Sequence, residues 1–249
     1  MNKSCLIAAG TGAAAVAITT CSLAKYAANV IQRMGDKGIQ NKIDNYIALA
    51  AKAPRHATVF LGDSITEFCP VNEIYRGYTE RTGIPVLNRG IGSERSDSML
   101  ERLGQTILPL EPANLIMLMG INDFFQNRPQ EQIAENIRQI IRRVHESIPE
   151  TRILLQAVYP VNTHDRNMLI ERIQMHGRDN GDIRKLNQLI AQVAREENIE
   201  FIDLTEVLSD NEGQLRHEYS YDGLHPNMNG YLVIRDHIEA ALERKKIEK

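Results

Sequence analysis

The residues able to do chemistry gather in three short stretches. Thr58-Val59-Phe60-Leu61-Gly62-Asp63-Ser64-Ile65-Thr66 is an apolar, β-rich run that stops at Gly62-Asp63, with a serine where the backbone must turn. Strand, sharp turn, then helix is how an α/β protein lifts a serine hydroxyl out of the carboxyl edge of its sheet. Such a serine stays a weak nucleophile until a base removes its proton. Tyr221-Asp222-Gly223-Leu224-His225-Pro226-Asn227 supplies the base and its orienting carboxylate, with Asp222 and His225 three residues apart in a Gly/Pro-marked turn. That spacing lets one turn present a carboxylate to one ring nitrogen while the other faces the serine. Met119-Gly120-Ile121-Asn122-Asp123 ends another apolar strand, and Asn122 offers a side-chain amide donor at the same sheet edge.

These segments, together with Asn88-Arg89-Gly90-Ile91-Gly92-Ser93, occur in an order and spacing that resembles the SGNH (GDSL) hydrolase family of serine esterases and lipases, over roughly residues 55 to 240. The resemblance implies a flavodoxin-like three-layer α/β/α sandwich around five parallel strands. The chemistry expected is acyl transfer through an acyl-Ser64 intermediate, with His225 as proton shuttle and Asp222 holding its tautomer. The oxyanion needs two or three donors aimed at one point. Candidates are the Ser64 backbone N–H, the Asn122 amide and one N–H from the loop Gly90-Ile91-Gly92-Ser93. Here the chain departs from the family, because the usual glycine of this second block falls on Ser93, with Gly90 and Gly92 nearby. A backbone N–H needs no glycine unless φ is positive, so Ser93 is the favoured donor and Gly92 the next. Asp63 and Asp123 read as turn-stabilising acceptors rather than acids.

Composition narrows the alternatives. A chain of 249 residues with 43% apolar and 24% charged residues reads as one ordinary globular domain with an extension. A net charge of −3 with no Lys/Arg block leaves no footprint for nucleic acid. Cys5, Cys21 and Cys69 form no disulfide framework. The seven histidines show no ligand spacing for a metal, and no cofactor or metal is expected. A Gly-rich loop before a helix could cradle phosphate, but the dispersed glycines here make a poor phosphate loop.

At the N-terminus, Met1-Asn2-Lys3-Ser4 precedes about twenty uncharged residues, Cys5 to Ala24. A short basic start followed by an apolar stretch reads as an export signal or membrane anchor over 1–24. Three fates compete: cleavage after Ser22-Leu23-Ala24, lipidation at Cys21 in a loose lipoprotein box, or retention as a single anchor. An envelope location, with membrane association through this segment, is the expectation. Residues 25–54 then form a helical extension, and 55–245 the hydrolase domain.

The elements that must position these residues alternate. A helical pattern over 25–52 turns Ile39, Ile43, Tyr46, Ile47 and Leu49 inward. Helix is expected from Ile65 to Thr82, interrupted near Pro70, then a strand at 84–92 and a helix capped by Ser96. Leu115-Ile116-Met117-Leu118-Met119 is a strand covered on both faces. Gln130 to Ser147 is amphipathic, with Ile133, Ile137, Ile140, Ile141 and Val144 on one face. A strand at 152–160, a polar loop at 161–182 suited to a lid or acyl pocket, a helix at 183–197, a strand at 199–204 and a helix at 229–244 complete the chain. Such alternation implies a parallel sheet with helices on both faces.

The expected function is therefore hydrolysis of carboxylic esters, short acyl or acetyl, on a glycan, a lysophospholipid or another lipid. Two rivals share the fold: an acyltransferase using the same triad, and a non-catalytic glycan- or lipid-binding module, against which the intact Ser64, Asp222 and His225 set argues.

Overall fold

A computed structural model describes residues 33–164 and 175–244. The expected export segment at 1–24, with Cys5 and Cys21, lies outside the described residues, as does the middle of the 161–182 loop. Among the described residues, no helix is long and apolar enough to cross a membrane. The chain divides into two units, Met1–Asp44 and Asn45–Lys249, and the site belongs to the second.

Five strands, β1 (Thr58–Gly62), β2 (Val86–Gly90), β3 (Asn114–Leu118), β4 (Arg152–Gln156) and β5 (Glu200–Ile202), form one sheet in the order β2-β1-β3-β4-β5. Every neighbouring pair is parallel. The strand order reverses between β1 and β3, the switch point at which ligands bind in open α/β sheets. β1 and β3 are buried along their whole length, which is why both read as unbroken apolar runs rather than alternating ones. Their register aligns Gly62 with Gly90 on one side and with Leu118 on the other. The turns after β1, β2 and β3 therefore emerge together at one edge.

Residues 33–50 form α1. Between β1 and β2 lie α2 (Ser64–Glu67), α3 (Val71–Ile74) and α4 (Arg76–Thr82), the expected helix broken at Pro70. The later helices are α5 (Ser96–Thr106), α6 (Gln130–Ser147), α7 (Asn180–Glu196), α8 (Thr205–Leu208) and α9 (Met228–Glu243). α6 packs on α5 and α7, while Arg81 on α4 pairs with Glu239 and Glu243 on α9. These are the two helical layers of a three-layer α/β/α sandwich. The buried face of α6 carries the five residues expected there, Ile133, Ile137, Ile140, Ile141 and Val144.

Several local expectations need correction. Tyr46 of α1 is inward, but Ile47 and Leu49 are 38% and 48% exposed. The packed face of that segment runs through Tyr46, Ala50 and Ala53, at the three- and four-residue spacing of one helix stripe. Ser96 does not cap α5, because its hydroxyl donates to Asp123 Oδ1 at 2.7 Å instead. β4 stops at Gln156 rather than Pro160, since its partner β5 is only three residues long. The buried backbone beyond it is satisfied by side chains of α7: Asn187 bonds Val158 N and O, and Asn180 bonds Val161 N and O.

Candidate active site

The nucleophile position follows from the β1–α2 turn. A Cβ at Gly90 would meet the Glu67 backbone nitrogen at 2.3 Å, so glycine is what lets the end of β2 press against α2. Asp63, fully buried, is the N-cap of α2 and accepts from Ile65 N at 2.9 Å. Capping thus falls to Asp63, leaving Ser64 as first residue of the helix with its hydroxyl free for other work. Ser64 Oγ lies 2.8 Å from His225 Nε2.

The His225 side is built by a single turn. Asp222 Oδ1 accepts the N–H groups of Leu224 and His225 at 2.9 and 2.7 Å, while Oδ2 lies 2.6 Å from His225 Nδ1. An ionised carboxylate can only accept, so Nδ1 carries the proton and Nε2 presents a lone pair to the Ser64 hydroxyl. Gly223 makes the turn possible with φ +80°. Ser220 Oγ locks it by accepting from Gly223 N and donating to His225 O, both at 2.9 Å. The imidazole is flanked by two exposed rings, Tyr221 stacked at 5.9 Å and Phe68 tilted at 5.2 Å between centroids. They give the mouth of the site an apolar wall.

Opposite lies the loop after β2, and its amides sort themselves by what they already bond. Gly90 N donates to Asn88 Oδ1, Ile91 N to Gly62 O, Gly92 N to Glu67 Oε2 and Glu94 N to Ile91 O. Gly92, the second choice for an oxyanion donor, is therefore already engaged. Among the described residues Ser93 N has no acceptor, and Ser93 is exposed. Its φ is +63°, the left-handed conformation in which a glycine would be unstrained. The serine at this family-glycine position keeps the backbone shape at a cost of roughly 1–2 kcal/mol. Ser64 N, at the first position of a helix, has no intrahelical acceptor either. Asn122 reaches the same loop, donating one Nδ2 proton to Glu94 O at 3.1 Å and keeping the other.

Two features here had no signal in the pattern of motifs. Arg102 of α5 and Glu94 form a doubly bonded pair, 2.7 Å at each oxygen, with side chains 1% and 0% exposed. Arg102 also donates to Arg89 O at 2.8 Å, so the pair pins both ends of the loop after β2 to α5. Removing one partner would leave an uncompensated buried charge. Arg178, 7% exposed, donates to Asn122 Oδ1 at 2.7 Å and to Ile121 O at 3.1 Å. A lone arginine in a polar loop is indistinguishable in sequence from a solvated one.

Charge in the site is set by burial. Among the described residues Asp63 Oδ2 has no hydrogen-bond partner, and burial pushes its carboxyl up from 3.8 to about 7, partly offset by Ile65 N–H, His225 and Arg178. Asp63 acts as the turn acceptor expected, whereas the Asp123 carboxylate departs from that expectation and accepts Ser96 N and Oγ from across the sheet edge. Cys69 is no rival nucleophile, since burial pushes its thiol up to about 12. A raised folded-state value means that native Asp63 binds its proton more tightly than the unfolded chain. Stability contributed by that proton is complete below about pH 4 and is lost as pH rises toward 7. Asp63→Asn keeps the cap acceptor and removes the titration. Its stability relative to the parent should therefore climb between about pH 4 and pH 7, at no more than about 1.4 kcal/mol per pH unit. A difference independent of pH in thermal unfolding would place this carboxyl in the ordinary range.

With the geometry in view, likeness to known proteins decides the family. Residues 60–233 match the model of the GDSL-like Lipase/Acylhydrolase family. The chain belongs to that family. Among relatives of this acylhydrolase, the platelet-activating factor acetylhydrolase IB subunit alpha1 of Bos taurus is 27% identical over 178 residues, 71% of this chain and 70% of the relative. A solved structure from Streptococcus pneumonia named for platelet activating factor superposes with a TM-score of 0.77 at 27% identity, covering 87% of this chain and 98% of the other. A GDSL-like lipase from Bacteroides thetaiotaomicron shares the fold, with a TM-score of 0.67 at 23% identity over 81% of this chain and 97% of that one. The GDSL-like acylhydrolase fold and an esterase-type hydrolase class follow from this membership.

Proposed function

We propose that this acylhydrolase is a serine esterase that removes short acyl groups, acetyl above all, from glycan or lipid esters of the cell envelope. The observation that carries the reading is the continuous line Asp222 Oδ2, His225 Nδ1, His225 Nε2, Ser64 Oγ, with contacts of 2.6 and 2.8 Å. Ser64 Oγ attacks the ester carbonyl carbon as its proton passes to His225 Nε2. The tetrahedral oxyanion is held by Ser64 N–H, Ser93 N–H and the remaining Asn122 Nδ2 proton. Collapse breaks the ester C–O bond, and the imidazolium returns its proton to the departing alcohol. Water then attacks the acyl-Ser64 carbonyl, with His225 taking its proton and giving it back to Ser64 Oγ. Asp222 stays ionised and stabilises the imidazolium.

Support for acetyl comes from the relative whose name is an acetylhydrolase. Support for an envelope substrate comes from the apolar segment at 1–24. The test combines a fluorophosphonate probe, read by intact-protein mass spectrometry, with p-nitrophenyl esters of graded chain length. One adduct on Ser64 and turnover that falls as the acyl chain lengthens are expected. Folded protein that takes no adduct and turns over no ester would overturn the reading.

Asn122→Ala is expected to lower kcat/KM on p-nitrophenyl acetate by about 10²–10³-fold, the usual loss for one oxyanion donor. An unchanged rate would move the third donor elsewhere.

A further inference from the structure

Arg178 is a buried cation without a task in the acyl-transfer sequence above, yet one of its bonds reaches a side chain of that site. Its guanidinium can only donate, and it donates to Asn122 Oδ1 at 2.7 Å. At the other end of the same carboxamide, Nδ2 donates to the Glu94 carbonyl at 3.1 Å, a group that can only accept. A carboxamide is nearly symmetrical in shape, and a half-turn about its terminal torsion exchanges oxygen for nitrogen. Turned that way, Asn122 would offer an oxygen lone pair to a developing oxyanion and repel it. Two one-way partners, a cation on the oxygen and a carbonyl on the nitrogen, exclude the turned state.

We propose that Arg178 is a positioning residue for catalysis, holding the Asn122 amide so that its free Nδ2 proton faces the oxyanion and polarising that proton through the amide. The proposal rests on the reading of Asn122 as an oxyanion donor. Hydrogen bonds in a chain strengthen one another where the dielectric is low, and a charged donor on the amide oxygen draws electron density from the nitrogen. The second bond, from Arg178 Nε to Ile121 O at 3.1 Å, fixes the guanidinium plane, so the fork is rigid where a lysine ammonium would not be. Arg178 also leans over the Phe125 ring, with its guanidinium carbon 5.9 Å from the centroid. Burial pulls its guanidinium below the usual arginine range, with Asp63 and Asp222 acting in the opposite direction.

A double-mutant cycle tests this. Arg178→Met, Asn122→Ala and the double variant are compared with the parent on p-nitrophenyl acetate, with thermal unfolding measured alongside. Arg178→Met should lower kcat by about 10- to 100-fold, within the range of coupling between residues sharing one hydrogen-bond network. Arg178→Lys should recover part of that loss. In the Asn122→Ala background, Arg178→Met should cost at most about two-fold more, because its target is gone. Losses that multiply would show that Arg178 acts independently of Asn122 and would overturn the proposal while leaving the oxyanion reading intact. A parent-like rate for Arg178→Met would overturn it too. A parent-like rate for Asn122→Ala would remove the oxyanion reading itself, and the proposal with it. Should Arg178→Met fail to fold, the cycle is run with Arg178→Lys, whose smaller loss should vanish in the Asn122→Ala background; an equal loss in both backgrounds would overturn the proposal.

Discussion

Ser64→Ala is expected to abolish ester turnover and fluorophosphonate labelling while leaving thermal unfolding close to that of the parent. The size of the effect follows from what is lost. Without Oγ no acyl-enzyme forms, and removing a nucleophile of this kind costs on the order of 10⁶ in kcat. The fold should tolerate the change because capping of α2 is done by Asp63, through its bond to Ile65 N, and not by the serine. Among the described residues the one bond the hydroxyl makes is to His225 Nε2. Residual hydrolysis at the parent's rate by purified Ser64→Ala would sink the mechanism, and a lowered melting point would show a structural duty for the hydroxyl.

Asp222→Asn should lower kcat by about 10⁴-fold with little change in stability. An amide oxygen in place of Oδ1 can still accept the N–H groups of Leu224 and His225, so the turn survives. The amide nitrogen would then occupy the place of Oδ2, 2.6 Å from Nδ1. Donor would face donor unless the imidazole shifts its proton to Nε2. In that tautomer Nε2 presents a hydrogen to Ser64 Oγ instead of a lone pair and cannot act as base. The same inversion of tautomer underlies losses near 10⁴ in serine hydrolases with this arrangement. Steady-state kinetics across pH 6 to 9 checks it. A loss under ten-fold would reduce Asp222 to a turn-former.

Both predictions use residues legible from type and spacing. Ser64 was readable because an apolar strand ending in Gly62-Asp63 leaves little choice but a turn into a helix. Asp222 and His225 were readable because a three-residue spacing in one turn brings carboxylate and imidazole together without help from the rest of the chain. The parallel sheet was readable too, since strands covered on both faces are apolar along most of their length, as β1 is from Val59 and β3 from Leu115. Elements fixed by distant neighbours were less legible. The end of β4 depended on the shortness of β5, and the duty of Ser96 depended on Asp123 across the sheet edge.

The oxyanion side divides along the same line. Sequence narrowed the loop donor to Ser93 or Gly92. What favours Ser93 as the proposed donor is Glu67, whose carboxylate takes the Gly92 N–H, and the +63° φ that Ser93 accepts where a glycine would be at ease. Neither is encoded locally, because both arise from how β2 is pressed against α2.

Periodicity in the sequence carried the order of strands and helices, short-range spacing carried the candidate serine, histidine and aspartate, and the resemblance of the motifs carried the family. The surroundings that aim those side chains came from packing between distant segments. These include the Glu94–Arg102 pair under the loop, the unpartnered Asp63 oxygen and the Arg178 fork on Asn122. The physical reason is that desolvation and hydrogen-bond direction depend on what lies across space, and an arginine reads the same in sequence whether it is buried or washed by solvent.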